Sequence, residues 1–429
     1  MLDIKWIRQH ALDVQKAADG KGIALSVAGL LEADEVRRRL QQQAEELRAA
    51  RNKLSQQIAA AGGGRPTGSV VAPIEELKRE AKETGERLAD VEARLKDMTS
   101  EYERLMLLVP NIVSPDTPNG RSDEDNVEIR RVGEPPAFPF EPRDHLALGT
   151  LHGMIDIARG VKTAGARNYF LSGPGALLHR AVQQLALDLL LADGFELLEV
   201  PLLVRASALT NTGFFPLGGD QTYRIADEDK WLVGTSEVPL VSYYGDEIVD
   251  VKQPIKLAAV STCFRSEVGS AGKDVHGLYR VHQFAKVEQV VLCEADDDCS
   301  ERMLQHITAN AERLLQLLEL PYRVVAVCTG DMSQKTYKQF DIETWMPSRQ
   351  SYGETHSSSN LRDFQARRSN IRYRDGDGKL RFCHTLNNTA VASPRILIPL
   401  LENHQQEDGS TRIPEALRPY LNGMARIGE

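Results

Sequence analysis

Charged and aromatic side chains recur at alternate positions in residues 263–288, where the chain reads CFRSEVGSAGKDVHGLYRVHQFAKVE. Apolar segments flank this stretch, residues 256–262 before it and 289–292 after it, and both have the composition of β-strands. Residues 269–277 are polar and glycine-rich, which predicts a long loop between the two strands. The sequence therefore predicts an antiparallel hairpin that displays polar and aromatic groups.

The polar groups of this hairpin are expected on one surface, because side chains alternate between the two faces of a strand. These residues are Arg265 and Glu267 on the first strand and His282, Phe284, Lys286 and Glu288 on the second. The surface suits a purine nucleotide bound beside an amino acid. Phe284 can stack on the base, and the guanidinium of Arg265 matches phosphate and carboxylate oxygens. Glu267 can accept a hydrogen bond from an exocyclic amine, and Glu288 can hold an ammonium or hydroxyl group. A hairpin with an ordinary charged solvent face is the alternative.

Two further segments bring hydroxyl and carboxylate groups close together. Residues 231–239 (WLVGTSEVP) combine a short apolar strand with Thr235 and Glu237, a pair that suits a small polar amino acid carrying an ammonium group. A plain turn at the end of the strand is the alternative. In residues 353–368 (GETHSSSNLRDFQARR), hydroxyls lie beside Glu354 and can complete a Mg²⁺ site that bridges phosphates.

Residues 384–397 (HTLNNTAVASPRIL) predict a strand that ends near Leu386 and a helix over roughly 393–405. Pro394 is tolerated in the first turn of such a helix. Arg395 would then direct its guanidinium into a pocket, where it suits a phosphate group. The Asn and Thr residues of this segment have helix capping as an alternative role.

The composition is that of an ordinary globular chain of 429 residues, long enough for two or three domains. The formal net charge of −9 argues against a general nucleic-acid coat, although it allows a local basic surface. The five cysteines form no CxxC pair, so we expect reduced thiols and no structural zinc. Since neither a membrane-length apolar run nor a targeting signal is found, we expect a cytoplasmic protein.

The N-terminal quarter of the chain predicts two long helices after a short one over residues 4–16. Residues 32–61 are rich in good helix formers, and the glycine-rich residues 62–68 break the pattern. From Ile74 a heptad seam continues through 74, 77, 81, 84, 88, 91, 95, 98, 102 and 105, while the best stripe of the first helix contains Val36, Leu40, Leu47, Leu54 and Ile58. These stripes predict an antiparallel coiled-coil arm about 45 Å long, over residues 30–108.

The outer faces of the arm carry Arg37, Arg38, Arg39, Arg48, Arg51, Lys53, Lys78, Arg79, Lys82, Arg87 and Arg94, with acidic residues between them. Taken alone, this pattern favours a solvated coiled coil used for oligomerisation. After a proline-rich linker, residues 178–192 predict an amphipathic helix, and residues 195–203 a strand interrupted by Pro201, which is typical of a sheet edge. Short strands with one clear helix over 301–318 follow, which favours an antiparallel sheet flanked by helices and hence an α+β fold.

The sequences of these segments resemble motifs of the seryl-tRNA synthetases, which belong to class II of the aminoacyl-tRNA synthetases. FRSE, the GSAG loop and RVHQFAKVE resemble class II motif 2, GTSEVPL the serine-binding TxE loop, and HTLNNTAVASPRIL motif 3; the resemblance extends from residue 1 to residue 420. It implies a tRNA-binding domain over 1–109, whose arm grips tRNA(Ser), and a catalytic domain over 110–429. It also implies a homodimer that meets through motif 1, the helix and strand before Leu203.

The resemblance assigns roles to the matching positions. The implied catalytic residues are Arg265, Arg395 and Glu354. The residues implied to bind L-serine are Thr235, Glu237, Arg265, Glu288, Asn387 and Thr389. The residues implied to bind ATP are Arg265, Ser266, Glu267, Val281, Phe284, Glu354, Thr355, His356, Ser357 and Arg395. Glu354 and Ser357 are the expected Mg²⁺ ligands.

At several positions the chain also differs from the sequence motifs that are usual in this family. Thr355 and His356 replace the Ile-Ser that normally follows the glutamate, and Asn388, Thr389 and Pro394 alter motif 3. In the motif 2 loop, Lys273 and His276 stand where arginine is common, and lysine does not reproduce a bidentate contact.

We expect a serine–tRNA ligase that forms seryl-adenylate from L-serine and ATP and transfers the seryl group to tRNA(Ser). The departures from the family wording keep a second hypothesis open, a paralogue specialised for antibiotic self-resistance or for a biosynthetic pathway. A non-catalytic tRNA-binding scaffold is the third hypothesis, and the retained charged residues of the motifs argue against it.

Overall fold

The computed structural model describes residues 1–62, 68–269 and 276–428 and divides them into two compact units. One unit comprises residues 3–19 and 24–109, and the other comprises 1–2, 20–23 and 110–429. The first contains helices only: α1 (Ile4–Gln9), α2 (Ala11–Gly20, which ends in the other unit), α3 (Val27–Gly62) and α4 (Gly68–Leu108). Among the described helices of the whole chain, none has both the length and the apolarity needed to cross a bilayer.

The helix pair α3 and α4 confirms the predicted arm. Its interior is formed by Leu40, Ala44, Leu88 and Val91, with Leu95 packed against them. The boundaries differ from the prediction: the short first helix is two helices that meet at His10, α3 begins at Val27, and α4 begins before Ile74. Residues 63–67 of the predicted break lie outside the described residues.

The larger unit contains the helices α5 (His145–Leu151), α6 (Ile157–Ala164), α7 (Pro174–Ala192), α8 (Ala206–Asn211), α9 (Glu237–Ser242), α10 (Asp297–Leu317), α11 (Phe364–Ser369) and α12 (Leu397–Asn403). The described strands of its main sheet are β1 (Val127–Val132), β4 (Glu196–Leu197), β7 (Ile255–Phe264), β8 (Gln283–Cys293), β9 (Tyr322–Ala326), β10 (Lys338–Met346), β11 (Ser351–Asn360) and β14 (His384–Ser393). Short two-stranded sheets are formed by β2 (Ile155–Asp156) with β3 (Phe170–Leu171), β5 (Leu203–Val204) with β6 (Trp231–Leu232), β12 (Arg372–Arg374) with β13 (Leu380–Phe382), and β15 (Thr411–Arg412) with β16 (Arg426–Ile427).

The main sheet has the strand order β1-β9-β10-β11-β14-β8-β7-β4. Its neighbouring strands are antiparallel except β4, which pairs in parallel with β7 at the edge. Along β8, Val287 and Val291 belong to the core cluster that includes the helices α7 and α10, whereas Val290 and Leu292 face the cluster with α9 and α11. The α+β fold with a mainly antiparallel sheet is confirmed, and helices cover both faces of the sheet.

Several predicted element boundaries are wrong. The predicted strand over 195–203 is two short strands, β4 and β5, in different sheets, because Pro201 and its neighbours separate them. The strand of the motif 3 segment continues past Leu386 to Ser393, and its helix begins only at Leu397. The apolar run before Thr235 forms the two-residue strand β6, and Glu237 begins helix α9 instead of continuing that strand.

Candidate active site

A cavity of about 300 Å³ opens between the strands β8, β11 and β14 and the segments that precede α9 and β10. Most of the site residues predicted from the sequence line it, namely Thr235, Glu237, Arg265, Glu267, Val281, Phe284, Glu354, Thr355, His356, Ser357, Asn387, Thr389 and Arg395. Two predicted residues lie outside the lining. Ser266 donates its hydroxyl to the carbonyl of Asp220, and Glu288 is fully buried behind Lys286.

The predicted hairpin exists, but its strands are shorter than the alternation of residue types suggested. Strand β7 ends at Phe264 and β8 begins at Gln283, so Arg265, Glu267 and His282 lie in the connecting backbone. Glu267 has a φ of 50°, a left-handed conformation that a continuous strand does not contain. Phe284 is the second residue of β8 and the first of its predicted site residues that lies in the strand. Its ring centroid is 5.3 Å from the guanidinium carbon of Arg265.

One end of the cavity contains a buried carboxylate that already has two donors. The backbone N–H of Glu237 donates to the hydroxyl of Thr235 at 3.1 Å. The Oε1 atom of Glu237 accepts hydrogen bonds from Lys335 Nζ at 2.5 Å and from Gln365 Nε2 at 2.7 Å. Neither Lys335 nor Gln365 was identified from the sequence; Gln365 lies within the motif DFQARR, but Lys335 has no motif around it.

A second carboxylate is paired in the same way on the sheet. Lys286 Nζ lies 2.6 Å from Glu288 Oε2, and Asn387 Nδ2 donates to Glu288 Oε1 at 3.0 Å. Burial raises the pKa of Glu288, while the neighbouring Lys286 ammonium acts in the opposite direction. Thr389 is the register partner of Glu288 on β14. The two strands therefore bring together Glu288, Asn387 and Thr389, the three residues on them that the sequence resemblance implied to bind L-serine.

Carboxylates repel one another at the other end of the cavity. Burial raises the pKa of Asp341 well above its usual range, and the negative charge of Glu354 adds to this effect. The pKa of Asp331 is also raised, by burial first and then by Asp123 and Glu354. Ser357 bonds to Gln339 at 3.1 Å beside them. Carboxylate and hydroxyl oxygens are the donors that a hard cation such as Mg²⁺ prefers, so Glu354 and Ser357, which both line the cavity, fit the predicted metal by their chemistry. The described residues contain no cluster of three or more acidic, histidine or cysteine side chains that could hold a metal ion by itself.

Arg395 lies next to Glu354, in the segment between strand β14 and helix α12 and not in the first turn of a helix as predicted. Its Nε donates to the carbonyl of Tyr279 at 3.0 Å, its Nη1 lies 3.6 Å from Glu354 Oε2, and its guanidinium carbon is 4.4 Å from the Tyr279 ring centroid. Tyr279 is a lining residue that sequence reasoning missed. The position of Arg395 is therefore set by strand β14 and by Tyr279, and not by a helix start.

Thr355 and His356, which follow Glu354 and differ from the usual family motif, take part in a buried chain of hydrogen bonds. A register shift between β10 and β11 leaves Thr355 without a register partner. Its hydroxyl bonds to the hydroxyl of Thr344 at 2.7 Å and to His356 Nδ1 at 2.8 Å. Burial lowers the pKa of His356 to about 3, which keeps the imidazole neutral at physiological pH. A neutral, buried His356 has the role of a packed polar side chain and not of a general base.

We expect this histidine to make the protein sensitive to acid. The unfolded chain binds a proton at His356 below about pH 6.5, whereas the folded chain excludes it until about pH 3, so stability falls as the pH decreases. Between pH 7.5 and pH 5, the loss through His356 should be about 2 kcal/mol. Urea unfolding of the wild type and of His356→Gln at both pH values measures it, and equal losses in the two proteins would contradict this origin.

Two residues of the motif 2 loop, Lys273 and His276, stand where the family commonly has arginine, and the structure describes only His276. His276 Nε2 lies 3.2 Å from Asp144 Oδ2, and its side chain is exposed. Lys273 lies outside the described residues.

Comparisons with known proteins agree along the whole chain. Residues 1–113 match the family model of the seryl-tRNA synthetase N-terminal domain, and residues 222–404 match that of the class II tRNA synthetase core domain (G, H, P, S and T). The chain is 44% identical to the serine–tRNA ligase of Deinococcus radiodurans, over 100% of this chain and 99% of the relative. The crystal structure of seryl-tRNA synthetase from Pyrococcus horikoshii complexed with ATP superposes with a TM-score of 0.88 at 37% identity, covering 100% and 99% of the two chains. The cytoplasmic serine-tRNA ligase of Naegleria fowleri in complex with AMP gives a TM-score of 0.84 at 29% identity, covering 100% and 98%.

Proposed function

The chain belongs to the seryl-tRNA synthetases, the serine–tRNA ligases of class II, and from this membership we propose how its residues bind and activate the substrates. The cavity carries the proposal, because it combines the buried carboxylate of Glu237 at one end with arginines and further carboxylates at the other. L-Serine binds at the first end and ATP extends towards the second. The chain joins them as seryl-adenylate and then transfers the seryl group to the 3′ end of tRNA(Ser).

We propose that serine lies between helix α9 and strands β8 and β14. Glu237 holds the ammonium group, with Thr235 fixing the turn before it. Asn387 and Thr389 line the cavity around the side-chain hydroxyl, and Glu288 acts from behind the lining through the hydrogen bond that it accepts from Asn387. These hydrogen-bonding groups select a small polar side chain. The substrate carboxylate faces Arg265.

The ATP site uses the residues between Arg265 and Arg395. Phe284 stacks on adenine, Glu267 accepts from its exocyclic amine, and Ser266 and Val281 supply backbone around the base. Arg395 binds the γ-phosphate next to Glu354. The strand residues Thr355, His356 and Ser357 form the wall of the cavity beside the phosphates.

Glu354 and Ser357 would hold Mg²⁺. When bound, the ion would supply positive charge that offsets the negative charge of the phosphates. Burial first, and then neighbouring charges that include Glu354, raise the pKa values of Asp331 and Asp341, and a cation beside Glu354 would favour the ionised form of both carboxyl groups.

The activation step requires no side-chain nucleophile. A carboxylate oxygen of serine forms a bond to the α-phosphorus of ATP, and the bond from that phosphorus to the β-phosphate oxygen breaks as pyrophosphate leaves. Arg265 neutralises the carboxylate and the α-phosphate as they approach, which lowers the barrier by positioning and charge stabilisation. A terminal ribose hydroxyl of the tRNA then attacks the acyl carbon and releases AMP.

The arm of α3 and α4 is the proposed tRNA-binding surface, with residues 1–109 as the tRNA-binding domain and 110–429 as the catalytic domain. Several of its cations pair with carboxylates, such as Arg48 with Glu92 at 2.6 Å. Within the described residues, the exposed cations Arg39, Arg51, Lys53 and Arg87 make no ion pair, so they can meet phosphates without a competing partner. We also propose a cytoplasmic homodimer that meets near the edge strand β4, where Leu197 is exposed.

Serine-dependent ATP–pyrophosphate exchange, followed by charging of tRNA(Ser), tests the proposal. Exchange with L-serine but not with the other standard amino acids, together with charging, supports a serine–tRNA ligase with the site described. Exchange without charging would instead support the specialised adenylating paralogue. Absence of exchange with every amino acid would leave only a tRNA-binding scaffold.

A further inference from the structure

Lys335 places an ammonium group where the substrate's own ammonium is expected. Its side chain is only 9% exposed, and its Nζ lies 2.5 Å from Glu237 Oε1. The same nitrogen lies 3.8 Å from the centroid of the Phe214 ring, a cation–π contact. Lys335, Glu237 and Phe214 all line the cavity, so this ion pair belongs to the substrate surface and not to the core.

The charges at this end of the cavity are balanced before any substrate enters. Two buried carboxylates, Glu237 and Glu288, face two buried ammonium groups, Lys335 and Lys286. Serine is a zwitterion, and its carboxylate is matched by Arg265. Its ammonium group then has no unneutralised anion to bind, and beside Lys335 it meets a like charge in a poorly hydrated site.

We propose that Lys335 occupies the ammonium subsite of the amino-acid pocket and acts as an internal competitor of the substrate's amino group. The proposal rests on the role proposed above for Glu237. Serine must displace Lys335 from Glu237, so its amino group contributes little net binding. An acid with the same skeleton but no amino group leaves the Lys335–Glu237 pair intact. The pocket therefore accepts short 3-hydroxy carboxylic acids, with or without an amino group.

The physical basis is the cost of leaving a buried group unpaired. A site that binds a substrate group through a buried partner rejects an analogue lacking that group by about 10⁴-fold, because the partner loses its hydrogen bond. Here Glu237 keeps Lys335 and Gln365 when the amino group is missing. The penalty that enforces selection of an amino acid is therefore absent.

The experiment compares L-serine with 3-hydroxypropanoate in ATP–pyrophosphate exchange, using the full chain. The analogue reacts through the same step: its carboxylate oxygen bonds to the α-phosphorus, and pyrophosphate leaves. Lys335→Met keeps the stem and removes the charge, so we expect the KM for serine to fall about tenfold with little change in kcat. The preference for serine over 3-hydroxypropanoate in kcat/KM should rise about 100-fold, because Glu237 now requires an external ammonium.

Lys338→Met is the matched control, because Lys338 pairs with Asp116 and Glu301 and does not line the cavity. It should leave both the KM and the preference unchanged. A higher serine KM in Lys335→Met, or an unchanged preference, would overturn the inference. If Lys335→Met does not fold, Lys335→Gln tests the serine KM alone. It removes the charge, so the KM should still fall, but its amide can still donate to Glu237 and should leave the preference nearly unchanged; an unchanged or higher KM would overturn the inference.

A Glu237→Gln variant separates this inference from the proposed function. If it leaves the KM for serine unchanged, Glu237 does not bind the ammonium group, and the assignment of the serine site fails. If it raises that KM while Lys335→Met does not lower it, the serine site stands and only the competition by Lys335 is excluded.

Discussion

Replacing Arg265 with alanine will reduce serine-dependent ATP–pyrophosphate exchange by at least about 100-fold, a loss of about 2.7 kcal/mol of transition-state stabilisation. The guanidinium is held by the Phe284 ring and by the carbonyl of Gly234, which accepts from Nε at 3.4 Å. In the proposed site it faces the serine carboxylate and the α-phosphate. Lys286 cannot replace it, because its ammonium is committed to Glu288.

Arg381→Ala is the control for this loss. Arg381 is an exposed arginine on β13 whose partner is Asp375, and neither residue lines the cavity, so its removal should leave exchange unchanged. Thermal unfolding of both variants shows whether they remain folded. Near-normal exchange in Arg265→Ala would remove this residue from the proposed mechanism.

Shortening the arm is expected to separate the two half-reactions. Replacing residues 52–87 with a short Gly-Ser turn removes Lys53 and Arg87 but keeps the cluster of Leu40, Ala44 and Leu88, together with the Arg48–Glu92 pair. Charging of tRNA(Ser) should fall by at least about 100-fold at physiological salt, because phosphate contacts are lost. Exchange with serine should change by less than about twofold, since none of the described residues of the arm lines the cavity.

A milder variant serves as the control for the deletion. Changing Lys53 and Arg87 to glutamine keeps both helices and should raise the KM for tRNA with a weaker salt dependence. If the shortened protein charges tRNA as well as the full chain, the arm is not the tRNA-binding surface, and its coiled coil has another purpose.

The arm could be predicted from the sequence because its signal is periodic and local. Leu88, Val91 and Leu95 lie at heptad spacing, and the same residues pack in the structure. Ala44 is fully buried between them but was not identified, because a small residue gives little contrast in a hydrophobic pattern. The start of each helix depended on backbone geometry that the pattern does not encode.

The cavity was predicted less evenly. The sequence motifs identified about half of the residues that line it, and the alternation around Arg265 and Glu267 was interpreted as strand. The backbone there instead follows long-range bonds, such as Ser266 N to the carbonyl of Gln221 at 3.1 Å. Lys335 could not be found by spacing at all, since its partner Glu237 lies 98 positions away in the chain. Its contact exists only because α9 and the segment before β10 meet in three dimensions.

The strand order also has a consequence for the sequence of events during synthesis on the ribosome. The hairpins β7–β8 and β10–β11 consist of neighbouring chain segments, so each can form soon after it is made. Strand β14 pairs with both β8 and β11 and is translated after either hairpin. It is therefore the strand that joins them. Because it also brings Asn387 and Thr389 and leads into Arg395, we expect a nascent chain to gain a complete serine and ATP pocket only when this last central strand is inserted.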